Sequence, residues 1–185
     1  MGRIYAGLIP LFLSSLLQAN TDNIDCDPNK NYPVPDNNNG RMVFFIQRSL
    51  NSNTVIYDVN LTEQGAIESS QPIAIYWRRY NSNGQKKNLK WFESQLAYGI
   101  ESLDKGNGKF TVFFPSYEDR KAQLYLNSSN EIKLETTISG KNADLYCAYV
   151  QLKDNEAIYP QVLHVDIYGR DSKTGEVLFE RIIND

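Results

Sequence analysis

The sequence predicts a mainly β fold: an antiparallel meander of about nine strands, forming a sandwich or a partly closed barrel. One short α-helix, about residues 89–98, follows the third strand. Three observations predict this. Aromatic residues make up 12% of the 185, with 12 tyrosines, and they fall in short runs beside β-branched neighbours. Clusters of Asn, Gly, Ser and Asp punctuate those runs. Most connections between runs are too short for a parallel crossover, which needs about a dozen residues.

The elements follow in chain order. Residues 1–19 read as a secretory signal peptide. Arg3 gives a positive start, Ile4 to Leu17 is apolar, and Ala19 is a small residue before the cut. The apolar run is shorter than the roughly 20 residues of a lasting span, and Pro10, Ser14 and Ser15 break it. No stable membrane span is expected after cleavage. Residues 20–40 are rich in Asn, Asp and Pro and read as a flexible polar leader. Residues 41–185 read as a single β-rich domain.

Within that domain, 42–48 and 54–60 are expected to pair as a hairpin, with Val55 and Tyr57 on one face and Ile56 and Asp58 on the other. The third strand, 72–80, can begin at Pro72 because a first strand residue needs no ladder donor. Asn88 is a candidate helix cap, Leu89, Phe92 and Leu96 form an apolar stripe, and Gly99 suits a left-handed stop. Strands resume at 109–114, where Phe110, Val112 and Phe114 share a face. Residues 121–126 and 131–138 make a second hairpin around Asn127–Asn130. The segments 144–152, 161–168 and 175–182 complete the set.

Composition narrows the chemistry. A net charge of −3 provides no general attraction for nucleic acid. One histidine and two cysteines exclude an ordinary His/Cys zinc site and a multi-bridge disulfide scaffold. No metal ligand set is read, and no cofactor: Gly106-Asn107-Gly108 is a turn rather than a phosphate-cradling loop. In an oxidising compartment Cys26 and Cys147 can pair, or Cys147 can be a buried thiol beside Leu145 and Tyr149.

His164, Asp166 and Tyr168 alternate onto one face of their strand, expected to be a polar face, with Leu163, Val165 and Ile167 on the core face. Same-face neighbours stand about 7 Å apart along a strand, which argues against Asp166 orienting His164 for catalysis. No serine elbow accompanies them. Paired carboxylates for glycoside hydrolysis would come from Glu93, Glu101, Glu118, Asp119, Asp166 or Glu180, and nothing in the sequence pairs them.

The most distinctive stretch is Ile75-Tyr76-Trp77-Arg78-Arg79-Tyr80. Alternation puts Trp77 and Arg79 on one face and Tyr76, Arg78 and Tyr80 on the other, with Lys86, Lys87 and Lys90 just beyond. Aromatic rings beside guanidinium groups can stack on flat ligands or sugars and hold carboxylates. They can equally form a sheet on which long Arg stems cover aromatic surface. Trp77, Arg79, Tyr76 and Arg78 are the ligand-binding candidates.

The ordered stretches Phe44–Ser49, Asn53–Asp58, Pro72–Arg78, Ala97-Tyr98-Gly99, Ile167-Tyr168-Gly169 and Thr174-Gly175-Glu176 resemble a family of secreted bacterial proteins, the domain of unknown function 4833. The resemblance implies bacterial export and carries over no catalytic residue. The resulting expectation is a secreted or periplasmic β-domain of the envelope, more a binding module for an envelope ligand or protein than an enzyme. A glycan hydrolase using carboxylates is the alternative.

Overall fold

The computed structural model describes residues 24–29, 31–115, 117–153 and 161–183. The segment 1–19, read as a signal peptide, lies outside the described residues. The chain forms β1 (Met42–Arg48), β2 (Asn51–Val59), β3 (Ile73–Arg79), β4 (Gln85–Asn88), β5 (Glu101–Asp104), β6 (Phe110–Phe114), β7 (Tyr117–Leu126), β8 (Ile132–Ile138), β9 (Lys141–Leu152), β10 (Val162–Asp171) and β11 (Val177–Ile183). Nine of these eleven strands match the expected segments. The two additions, β4 and β5, are exposed along their whole length and end the sheet on either side. An edge strand wetted on both faces has no apolar alternation to reveal it.

The helix is shorter than its stripe suggested. One α-turn, Trp91–Glu93, runs on as a π-turn, Ser94–Tyr98. Asn88 ends β4 and caps nothing; instead Glu93 accepts the Lys90 amide at 2.7 Å. Gly99 has an extended backbone rather than a left-handed one. It is glycine because a Cβ there would land on the carbonyl oxygen of Ser94.

The strands run β4-β3-β2-β1-β9-β8-β7-β6-β5, with β10 on the other edge of β9 and β11 on β10. Among the described residues every ladder is antiparallel except β1 with β9. Strand β9 is a junction. Its first residues pair with β8, residues 147–150 pair with β1, and β10 lies along most of its length. The sheet therefore forks at β9 and curls into a half-barrel. Phe44, Val55, Tyr57 and Trp77 from one arm meet Phe110, Val112, Leu124 and Leu134 from the other, in one apolar core inside the curl.

The sheet's outer face carries a second apolar cluster. Phe45, Ile56 and Tyr76 pack there with Ile24, Cys26 and Cys147. Residues 24–29 and 31–40, expected to be part of a flexible leader, thus hold to the sheet by more than their polar composition implied. Cys26 and Cys147 form a disulfide with Cα atoms 6.2 Å apart. Asp27 is buried and accepts the amides of Asn29 (3.0 Å) and Asn31 (2.7 Å). Tyr32 donates to the Ser49 carbonyl, the Gln47 amide donates to that of Pro33, and Asn37 bonds both backbone groups of Met42.

Candidate functional site

Where the leader crosses β2 and β3, an open cleft of about 400 Å³ forms. Asp36, Asn38 and Asn39 line it from the leader, Asp58 from β2, and Tyr76, Arg78, Tyr80 and Gly84 from β3 and the turn after it. The alternation of β3 places Tyr76 and Arg78 on the outer face. Tyr76 donates its hydroxyl to Asp58 at 2.8 Å, and Arg78 donates to the Gly84 carbonyl at 3.2 Å. Lys86 lies 3.8 Å from the centre of the Tyr76 ring, so that ring is covered and only its hydroxyl end serves the cleft. Burial, reinforced by the bond to Asp58, pushes the Tyr76 phenol up to about 12. It is therefore a neutral donor at ordinary pH. Burial also raises Tyr80, with Arg78 opposing and Asp36 adding to the rise.

Trp77 and Arg79 point the other way, into the curl. Trp77 is only 4% exposed and belongs to the main core. Its indole donates to Glu93 at 3.1 Å, Tyr98 meets it edge-on at 5.1 Å, and the Arg48 guanidinium covers it at 4.7 Å. A ring so enclosed has no face left for a ligand. The arginine over this ring is Arg48 of β1, and it lies there by its guanidinium rather than its stem. Arg79 is half-buried at the end of β3.

His164, Asp166 and Tyr168 do share a face of β10, but Asp166 is fully buried rather than wet, and Leu163 on the opposite face is exposed. Arg181 of the facing β11 clasps Asp166 with two bonds, 2.6 and 2.7 Å long. His164 Nε2 stands 3.8 Å from Asp166, closer than strand spacing suggests because side chains lean along the strand. Both carboxylate oxygens are already taken by Arg181. The cluster therefore fastens β11 to β10. Tyr168 is raised, chiefly by burial and then by Asp166. Among the six carboxylates considered for hydrolysis, Glu180 is paired with Arg120 and Glu93 serves Trp77, while Glu101, Glu118 and Asp119 are exposed. Among the described residues no group of three or more His, Cys, Asp or Glu side chains is placed to hold a metal ion.

The model of one protein family, a domain of unknown function (DUF4833), matches residues 44–181. The chain belongs to that family. No curated protein and no solved structure matches it. The DUF4833 stretch spans almost all of the sheet and stops short of the leader. The cleft is built across that boundary, with Asp58, Tyr76, Arg78 and Tyr80 inside the matched stretch and Asp36, Asn38 and Asn39 before it.

Sequence reasoning named Tyr76 and Arg78 and missed Asp58, Tyr80, Asp36 and the two asparagines as lining residues. One signal was available for Asp58, a charge among the apolar residues Val55, Ile56, Tyr57 and Val59 near the end of β2. Nothing local could reveal the leader residues, because the disulfide and the bonds of Tyr32, Pro33 and Asn37 to the sheet join segments that show no pairing signal in sequence.

Proposed function

We propose that this DUF4833 domain is an exported, non-enzymatic module that binds a ligand of the bacterial envelope in the outer cleft. The observation that carries the reading is the meeting of Tyr76 and Arg78 with Asp58 and the leader's Asp36 around an open space of about 400 Å³. Export is supported by Arg3 and the apolar run after it, and by a disulfide suited to an oxidising compartment. Among the described residues no helix is long and apolar enough to cross a membrane. A non-enzymatic role is supported by the engagement of Asp166, Glu180 and Glu93 in Arg181, Arg120 and Trp77 contacts.

The test compares the wild-type chain with Arg78→Ala and Arg79→Ala after incubation with a small-molecule and glycan fraction of the envelope. Retained species are read by native mass spectrometry, and thermal unfolding is followed in parallel. Arg78→Ala should lose the retained species with its fold intact, whereas Arg79→Ala, altered on the inner face, should keep them. Equal retention by both variants would remove the cleft from consideration. The mass of the exported form should correspond to a chain starting at Asn20.

A further inference from the structure

We infer that the cleft takes a neutral, linear carbohydrate, which continues past Asn39 into a second cleft. This rests on the outer cleft being a ligand site and names the class of ligand.

The first argument is charge. Asp36 and Asp58 face the cleft together with Arg78. An entering anion meets two carboxylates, and an entering cation meets Arg78 with Lys86 close behind it over Tyr76. A ligand without charge meets neither penalty. The second argument is hydrogen bonding. A carboxylate only accepts, a guanidinium only donates, and an Asn amide does both. One ligand that suits all three must donate and accept at closely spaced points. Neighbouring sugar hydroxyls do so, and each planar fork matches a pair of them. Half-buried Tyr80 places an aromatic ring beside these forks.

The third argument is shape. A second open cleft of about 510 Å³ shares Asn39 with the first and is lined by Arg41, Asn130, Glu131 and Lys133, again two signs of charge and an amide. Two open clefts of like chemistry joined at one residue suit a chain longer than a single ring. The leader turn at Asn37–Gly40, held by Asn37 on Met42, forms the saddle between them.

The experiment is calorimetric titration of the full exported chain with β-1,4-linked glucose and N-acetylglucosamine ladders of one to six rings. Oligogalacturonates of the same lengths and a neutral tetrapeptide serve as comparison ligands. Affinity should rise with the length of a neutral saccharide and then level off. Arg78→Ala should weaken every neutral saccharide by at least about tenfold, the effect of losing a charged hydrogen-bond donor. Arg41→Ala should weaken only the longer ones. Failure of every neutral saccharide to bind, or stronger binding of oligogalacturonate or tetrapeptide, would overturn the carbohydrate assignment. If that stronger binding still depended on Arg78, the cleft would stand as a ligand site and only its ligand class would fall. Loss of all Arg78-dependent binding, the envelope fraction included, would remove both. The saccharides should be recovered intact, and shortened products would overturn the non-enzymatic role.

Discussion

Arg181 closes over a carboxylate that water barely reaches. The Asp166 side chain is 1% exposed and that of Arg181 is 46% exposed, so the two partners respond differently to substitution. Arg181→Ala leaves the buried Asp166 charge with only His164 nearby and should lower the urea midpoint more than the converse change. Asp166→Asn leaves Arg181 free to turn to water and should cost about 1–2 kcal/mol. Urea unfolding of both variants checks the order, and equal losses would contradict it. The tyrosines give a second prediction. Burial lifts Tyr57 well above the ordinary phenol value and lifts Tyr76, Tyr125 and Tyr149 to about 12. Unfolded tyrosines ionise near pH 10, so above that the unfolded chain holds fewer protons than the folded one. The stabilisation is complete below pH 10 and is lost as pH rises through about 12. The last phenolate absorbance to appear and the loss of β-sheet circular dichroism should therefore rise together in that window; complete phenolate absorbance in a still-folded protein would count against it. At this scale the sequence was readable for faces and unreadable for partners. Alternation placed Tyr76 opposite Trp77 correctly, but which face the core would claim depended on how the sheet curled.

Gly169 lies where β9 changes partner from β8 to β1. The ladder between β9 and β10 slips there, with Tyr168 opposite Cys147 and Gly169 opposite Leu145, leaving Tyr146 as a bulge. A Cβ on Gly169 would stand 2.5 Å from the Asp144 carbonyl oxygen and 2.6 Å from Ile138 Cδ1. Gly169→Ala should destabilise by about 2–3 kcal/mol through forced backbone movement, measurable as a lower urea midpoint; an unchanged midpoint would mean the fork tolerates a side chain. The leader depends on a different fastening. Cys26 and Cys147 are 121 residues apart, and by the chain-entropy account replacing both with Ser should cost about 3–5 kcal/mol. The same variant should expose the first part of the leader to protease and spare Arg78-dependent binding, because Asn37 on Met42 still holds Asp36 and Asn39 at the cleft. Thiols that label fully without reduction would show the bridge to be absent. Elements with a wet and a dry face, such as β7 and β8, were legible from their alternation. The edge strands β4 and β5 were not, and neither was the leader's seat, which is set by the disulfide together with hydrogen bonds and packing between distant residues.

At the scale of the whole molecule, the meander accounts for every ladder among the described residues but one. Short turns specify which neighbours pair, and the sequence states those turns plainly, as at Asn127–Asn130. What no turn specifies is how the ends of the meander meet. The parallel pairing of Phe45 with Cys147 and of Gln47 with Tyr149 joins segments about a hundred residues apart. That one junction has a consequence for a chain emerging from its N-terminus. Strands β1, β2 and β3 can form their hairpins early, but the open side of β1 waits for β9, which begins the last quarter of the protein. Until then the run Met42-Val43-Phe44-Phe45-Ile46 has a bare, uncharged strand edge, the kind of surface that recruits strands from other chains. Closing so long a loop is slow, on the scale of milliseconds to seconds for folds dominated by distant pairings. During biosynthesis, then, the hazard for this protein is self-association of its first hairpins, and escape from it depends on how quickly residues 141–152 arrive.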